Sequence, residues 1–175
     1  MFNEIFIDLD PNSFVLSSIV LPFSINALIA FIPTVICLFV SAFVLASEVA
    51  FFSLSPKDFE RMESENHSSD EKIKLLLQKP EHLLATILIT NNLVNVSIIV
   101  LSSYIINQTL NFSAFPILGF IFETVLITFI ILLVSEIMPK TFAQQHGLRM
   151  ARFGAGILKS LRSILKPFVW ILVSS

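Results

Sequence analysis

Three long apolar blocks set the pattern of this chain, at about residues 25–54, 83–106 and 117–138. Roughly 20 residues rising about 1.5 Å each cover the ~30 Å hydrocarbon core, so each block predicts a membrane-crossing helix. The first block is over-long, and it either tilts or starts as an interfacial segment near residues 14–23. Pro22 and Pro33 are placed to kink or break that entry. A four-span pattern, with residues 14–28 as a separate re-entrant piece, is the weaker alternative. Between the first two blocks, residues 55–82 turn polar. Ser55 and Pro56 suit a helix start, with acids in or near the first turn. Residues 66–70 read as a polar loop, and a short helix resumes at 71–78. This predicts a helical hairpin at the membrane surface. After the third block, Gly147, Gly154 and Gly156 are expected to interrupt the chain. From Ile157 onward, apolar residues recur at helical spacing opposite Lys159, Arg162, Ser163 and Lys166. That is a basic amphipathic helix lying along the bilayer interface.

Composition strengthens the membrane reading. The 175 residues are 55% hydrophobic and only 14% charged, where a soluble domain carries nearer ~25%. The fold class is therefore all-α integral membrane. Its parts are three transmembrane helices, a helical hairpin and a C-terminal amphipathic juxtamembrane helix. Charge placement gives an orientation. All 11 Lys and Arg residues lie in 55–82 or after residue 139, and the loop at 107–115 carries none. The segment 1–24 has Glu4, Asp8 and Asp10 and no base. The positive-inside rule then places the N-terminus outside and residues 55–82 and 140–175 in the cytoplasm, consistent with three spans. The N-terminus lacks a basic n-region and a small-residue cleavage site, so no signal peptide is expected. The single cysteine, Cys37, offers no disulfide or metal pattern. The chain stops at Val173-Ser174-Ser175 without a helix terminator, and a further soluble region is expected beyond it.

The candidate chemistry is carried by polar residues inside the apolar blocks. Glu136 lies in Ser135-Glu136-Ile137-Met138-Pro139-Lys140, at the end of the third block. A carboxylate at a span's centre costs on the order of 2.5–3.5 kcal/mol, which makes it a candidate functional site. Pro139 removes a backbone donor and frees carbonyls nearby. The first block carries Ser41, Ser47, Glu48 and Ser53. The second carries Asn91, Asn92 and Asn95, with Asn91 and Asn95 four apart on one face. Hydroxyl, amide and carboxylate oxygens are hard ligands that suit Mg²⁺, Ca²⁺ or Na⁺ rather than zinc or copper. A structural reading stands beside this one. Ser47, Ser53, Ser97 and Ser102 can hydrogen-bond between helices. Glu48 can cap the basic-side mouth or pair with Lys57, and Glu123 can snorkel to the interface. No nucleophile–base pair or metal-hydrolase motif is present, so no enzyme is expected. His67, His82 and His146 are expected to be solvated.

Ser41-Ala42-Phe43, Ala46-Ser47-Glu48, the run Leu84 to Asn95 and Ser135-Glu136-Ile137-Met138-Pro139-Lys140 together resemble the transmembrane domain of the CorC/CNNM (cyclin M) family. The resemblance covers about Ala30 to the C-terminus within a domain assigned to 25–175. The start Asp8-Leu9-Asp10-Pro11-Asn12 further resembles the gliding-motility-associated GldE branch. The resemblance implies an inner-membrane Mg²⁺ transport domain, with Na⁺-coupled export as the activity. It also implies a homodimer, a juxtamembrane belt helix and a cytoplasmic CBS region beyond residue 175 that binds ATP. Matched residue by residue, it implies Ser41, Asn91, Asn95 and Glu136 as metal ligands and Pro139 as a helix distortion. Ser47, Glu48, Asn92 and Ser135 are candidate further ligands or outer partners. Two departures stand out: Leu45 occupies the place of a second ligand serine, and Ser135 that of a glycine. The runner-up is a membrane scaffold of a gliding or secretion apparatus, with envelope protein partners and a vestigial ion site. Besides a lipid bilayer, no nucleic-acid partner is expected.

Overall fold

The computed structural model describes residues 24–112 and 115–173. The interfacial entry at 14–23, Pro22 and the acidic start at 8–12 lie outside the described residues. Among the described residues, three helices are long and apolar enough to cross a membrane: Ile25–Phe52, Pro80–Thr109 and Pro116–Gln145. Helix α1, Ile25–Phe52, starts at Ser24, whose Oγ accepts the Asn26 N–H at 3.2 Å. It runs unbroken through Pro33, against the expected break. Pro33 leaves the Ile29 carbonyl without its helical N–H donor, and the neighbouring Thr34 hydroxyl donates to the Ala30 carbonyl at 2.8 Å.

The hairpin consists of α2, Pro56–Glu65, and α3, Ser68–Leu77. Asp58 sits three residues after Ser55 and accepts both its N–H at 2.9 Å and its hydroxyl at 2.7 Å. Asp70 does the same for the His67 N–H at 3.1 Å. These acids satisfy donors that a helix start leaves open. The left-handed Asn66 (φ 47°) makes the turn, so the connection is shorter than the polar loop expected at 66–70. Helix α4, Pro80–Thr109, then forms the second span, with Pro80 in its first turn.

The third span begins as α5, Pro116–Ile130, passes through a π-helical stretch at Ile131–Ile137, and continues as α6, Met138–Gln145. The Met138 N–H reaches back five residues to the Leu133 carbonyl. Pro139 has no N–H to return, and its ring would collide with the preceding turn of a regular helix. The wider π turn absorbs the proline without ending the span.

Helix α7, Gly147–Ile164, and α8, Lys166–Val173, complete the chain. Gly154 and Gly156 do not interrupt α7. Gly154 serves close approach: a Cβ there would stand 2.7 Å from Ser47 Oγ on α1. Phe43 and Phe153 pack edge to face beside this crossing, with centroids 5.5 Å apart. A Cβ on Gly156 would meet nothing within 4 Å.

Two apolar clusters organise the described residues. The larger joins α1, the hairpin, the start of α4, α6 and α7 through residues such as Phe51, Met62, Ile73, Leu83 and Leu158. The smaller, Ile98, Ile106, Ile127 and Ile131, holds the other end of α4 to the third span, with Cys37 and Leu38 packed against it. Burial is uneven. The most apolar 18-residue window of the third span is 17% buried, against 39% for α4.

Candidate metal centre

The contact between α1 and α4 is the most extensive between any two helices, and it carries a polar core. Ser41 is fully buried and Asn91 is 9% exposed. The Ser41 hydroxyl donates to Asn91 Oδ1 at 2.8 Å, and Asn95 Oδ1 stands 3.0 Å from the same oxygen. Asn91 and Asn95 converge because residues four apart share one helical face. A hydroxyl has a single proton, so it satisfies only one of the two amide oxygens at a time. Three hard oxygens thus meet between the two helices, beside a cleft that Glu48 and Glu81 also line. Such oxygens are the donor type that hard cations take.

The third span adds a second oxygen-rich element. Ser135 is buried, and its Oγ has no hydrogen-bond partner among the described residues. It lies in the π-helical stretch, four residues before Pro139, whose missing N–H leaves the local carbonyls under-used. This stretch packs against α1. Glu136 is half-buried and makes no hydrogen bond to Ser41, Asn91 or Asn95. The expected four ligands therefore divide into a joined trio on α1 and α4 and a separate carboxylate on the π-helical stretch.

The remaining candidates fall apart by face. Ser47 turns toward α7, where it packs on Gly154 and donates to the Phe43 carbonyl at 2.8 Å. Ser53 and Ser97 also bond their own helices, to the Ala50 and Leu93 carbonyls, and none of these three bonds between helices. Asn92 is exposed. Glu48 makes no ion pair with Lys57. It lines a cleft of about 470 Å³ with Leu45, Glu81 and Asn91. Leu45 is 5% exposed and faces that cleft one turn after Ser41, where the resemblance implies a second serine. Glu81 was missed by sequence reasoning. It lies in the first turn of α4, a position where an acid reads as ordinary helix-start chemistry. Glu123 lines a separate pocket with Asn107, Phe112 and Pro116. Among the described residues, no group of three or more His, Cys, Asp or Glu side chains gathers in metal-binding geometry.

A second polar cluster ties α7 to the hairpin. Arg152 donates through Nε to Asp70 Oδ1 at 2.8 Å, through Nη2 to Asp70 Oδ2 at 2.9 Å, and through Nη1 to Glu65 Oε2 at 2.6 Å. Burial pushes the Asp70 carboxyl up, but the Arg152 guanidinium and the His67 N–H outweigh it and hold it below the usual carboxylate range. Hydrogen bonding from Arg152 likewise lowers Glu65.

Three helical spans, a polar core of neutral oxygens between two of them and a π-helical acid on the third define a helical membrane domain with an oxygen-lined interior. The chain belongs to the cyclin M (CNNM) transmembrane N-terminal domain family, whose model matches residues 32–175. It is similar to a UPF0053 protein of Haemophilus influenzae, with 37% identity over 142 residues, covering 81% of this chain and 33% of that protein. It is also similar to the UPF0053 inner membrane protein YfjD of Escherichia coli K12, with 30% identity over 133 residues, covering 76% of this chain and 30% of that one. The chain thus spans about a third of the length of these relatives.

Proposed function

We propose that this chain is the ion-binding membrane part of a Mg²⁺ transporter, working as Na⁺-coupled export from the inner membrane. The observation that carries this reading is the Ser41 hydroxyl held between two amide oxygens, at 2.8 and 3.0 Å, inside the α1–α4 contact. Neutral oxygens with one nearby carboxylate favour a hard cation while leaving it free to depart. In this reading the unpartnered Ser135 hydroxyl and the adjacent Glu136, on the stretch that packs against α1, are further donors. The cleft lined by Glu48, Glu81 and Asn91 gives a cation an acidic approach to the trio. The clustering of Lys and Arg at that end of the spans supports a cytoplasmic opening, with the N-terminus outside. Homodimerisation is part of the proposal, and the lightly buried third span offers the surface for it. ATP binding belongs to a CBS region outside this chain.

The test is Mg²⁺-dependent thermal stabilisation and Mg²⁺ flux in reconstituted vesicles. Asn91→Ala and Glu136→Ala are each expected to weaken both responses about tenfold or more in Mg²⁺ concentration. Unchanged responses in both variants would refute the site. Leu45 favours the second reading, a scaffold of a gliding or secretion apparatus with a vestigial ion site. That reading predicts no Mg²⁺ response at millimolar concentration in the unaltered protein, together with co-purification of envelope proteins.

A further inference from the structure

A groove of about 780 Å³ lies between the α3–α4 turn and the α7–α8 arm, away from the Ser41 trio. Its floor is apolar, with Leu76 and Val169 fully or almost fully buried. Its rim carries Lys79 from the turn, Lys159 and Arg162 from α7, and Lys166 from α8, and no acid lines it. None of the four cations forms an ion pair among the described residues. Lys159 and Arg162 are three apart on one helix, where like charges repel and destabilise unless an anion lies between them. Trp170 lines the groove and is 65% exposed, as an aromatic residue at a headgroup boundary is. Pro80, the first residue of the second span, follows Lys79 directly, so the cationic rim lies at the end of a membrane-crossing helix.

We propose that this groove is a binding site for an anionic phospholipid. The four cations hold the phosphate-bearing headgroup, and the Leu76–Val169 floor takes the upper acyl chains. The volume lies within the usual range for small-molecule sites. A free inorganic anion would use the rim and leave the apolar floor wet. A lipid satisfies both halves and locks the α7–α8 arm to the hairpin end of α4. This inference does not depend on the Mg²⁺ reading.

The experiment uses the chain in detergent, with native mass spectrometry and melting curves as readouts. The probes are dioleoyl-phosphatidylglycerol, dioleoyl-phosphatidylcholine and inorganic phosphate. Phosphatidylglycerol is expected to stay bound and raise the melting temperature, while phosphatidylcholine and phosphate do neither. Lys159→Gln and Arg162→Gln are each expected to weaken phosphatidylglycerol binding about fivefold. Arg162→Lys is expected to retain it. Equal retention of the two lipids, or full retention by the doubly substituted protein, would overturn the proposal. An equal melting shift with phosphate alone would make this a free-anion site and overturn it too. Protection of Lys159 and Lys166 from an amine-modifying reagent in the absence of lipid would mean that protein fills the groove, with the same consequence. If the doubly substituted protein does not fold, the comparison of the two lipids on the unaltered chain decides.

Discussion

The two polar clusters of this molecule solve their hydrogen bonding in opposite ways. At Arg152, three N–H donors meet three carboxylate oxygens of Asp70 and Glu65, all at 2.6–2.9 Å. Donors and acceptors match, and the cluster ties α7 to the hairpin. At Ser41, one proton faces two amide oxygens, and the Ser135 hydroxyl on the adjoining π-helical stretch has no partner among the described residues. A matched cluster is a fastening. A cluster with unshared acceptors inside a membrane keeps lone pairs open to a further partner, which is what the proposed cation site requires. The two also differ in location, since the fastening sits beside the large apolar cluster of the hairpin and α7, and the trio lies within the spans.

That contrast is open to direct attack. The largest effect is expected from Asn91→Ala, which should weaken Mg²⁺ affinity about tenfold to hundredfold or more, measured by calorimetry or by the Mg²⁺ dependence of melting. Its stability without Mg²⁺ should fall by only about 1 kcal/mol, the scale of a hydrogen bond between spans. Asp70→Ala should do the reverse. Removing one partner of the largely buried pair should cost about 2–3 kcal/mol of stability and leave Mg²⁺ affinity unaltered. If Asp70→Ala abolished Mg²⁺ binding in a folded protein, the two clusters would not be separate devices.

Acid should discriminate them as well. The Asp70 carboxyl is held below its ordinary value of 3.8 in the folded chain, so the unfolded chain binds more protons as pH drops. The stability it contributes is fully present above that value and is lost as pH falls through the lowered one. Melting curves taken between about pH 5 and pH 2 should show this loss in the unaltered protein and a smaller one in Asp70→Asn.

Leu45→Ser should raise Mg²⁺ affinity about twofold to tenfold, because it adds a hydroxyl one turn from Ser41 on the cleft wall. No gain would argue that Leu45 does not face the ion. The smallest effect concerns packing. Gly154→Ala should destabilise by about 1 kcal/mol net, as overpacking against Ser47 exceeds the gain in helix propensity. In a Ser47→Ala background the same change should become neutral or stabilising, which a thermal double-mutant cycle would reveal.

Much of this architecture was legible in the order of residues. Apolar length alone predicted the three spans, because a helix must satisfy its backbone internally and cover the bilayer thickness. The second helix runs from Pro80 to Thr109, past its predicted 83–106 at both ends, and the third starts at Pro116, next to its predicted start, but runs on to Gln145, past the predicted end at 138. Helical periodicity also put Asn91 and Asn95 on one face. Glycine was the misleading signal. Gly154 looked like a breaker, but helix α7 runs through it, because its missing Cβ is needed for contact with α1 and not for a turn. Ser47 was open to two readings, an outer partner of a metal or a bond between helices; its hydroxyl donates within its own helix to Phe43 and packs on Gly154.

The sequence by itself determined the class, the number of spans, the sidedness of charge and the kinds of ligand available. Those depend on composition and on distances along one helix. Which oxygens meet is a matter of tertiary structure. Ser41 reaches Asn91 across 50 residues of chain, and Arg152 reaches Asp70 across 82, through helix crossings that periodicity does not specify. The same holds for Glu81, which reads as a common helix-start acid until α1 and α4 close a cleft around it. The π-helical turn before Pro139 belongs to both. The proline demands a distortion, and packing against α1 decides that a widened turn, rather than a broken helix, provides it.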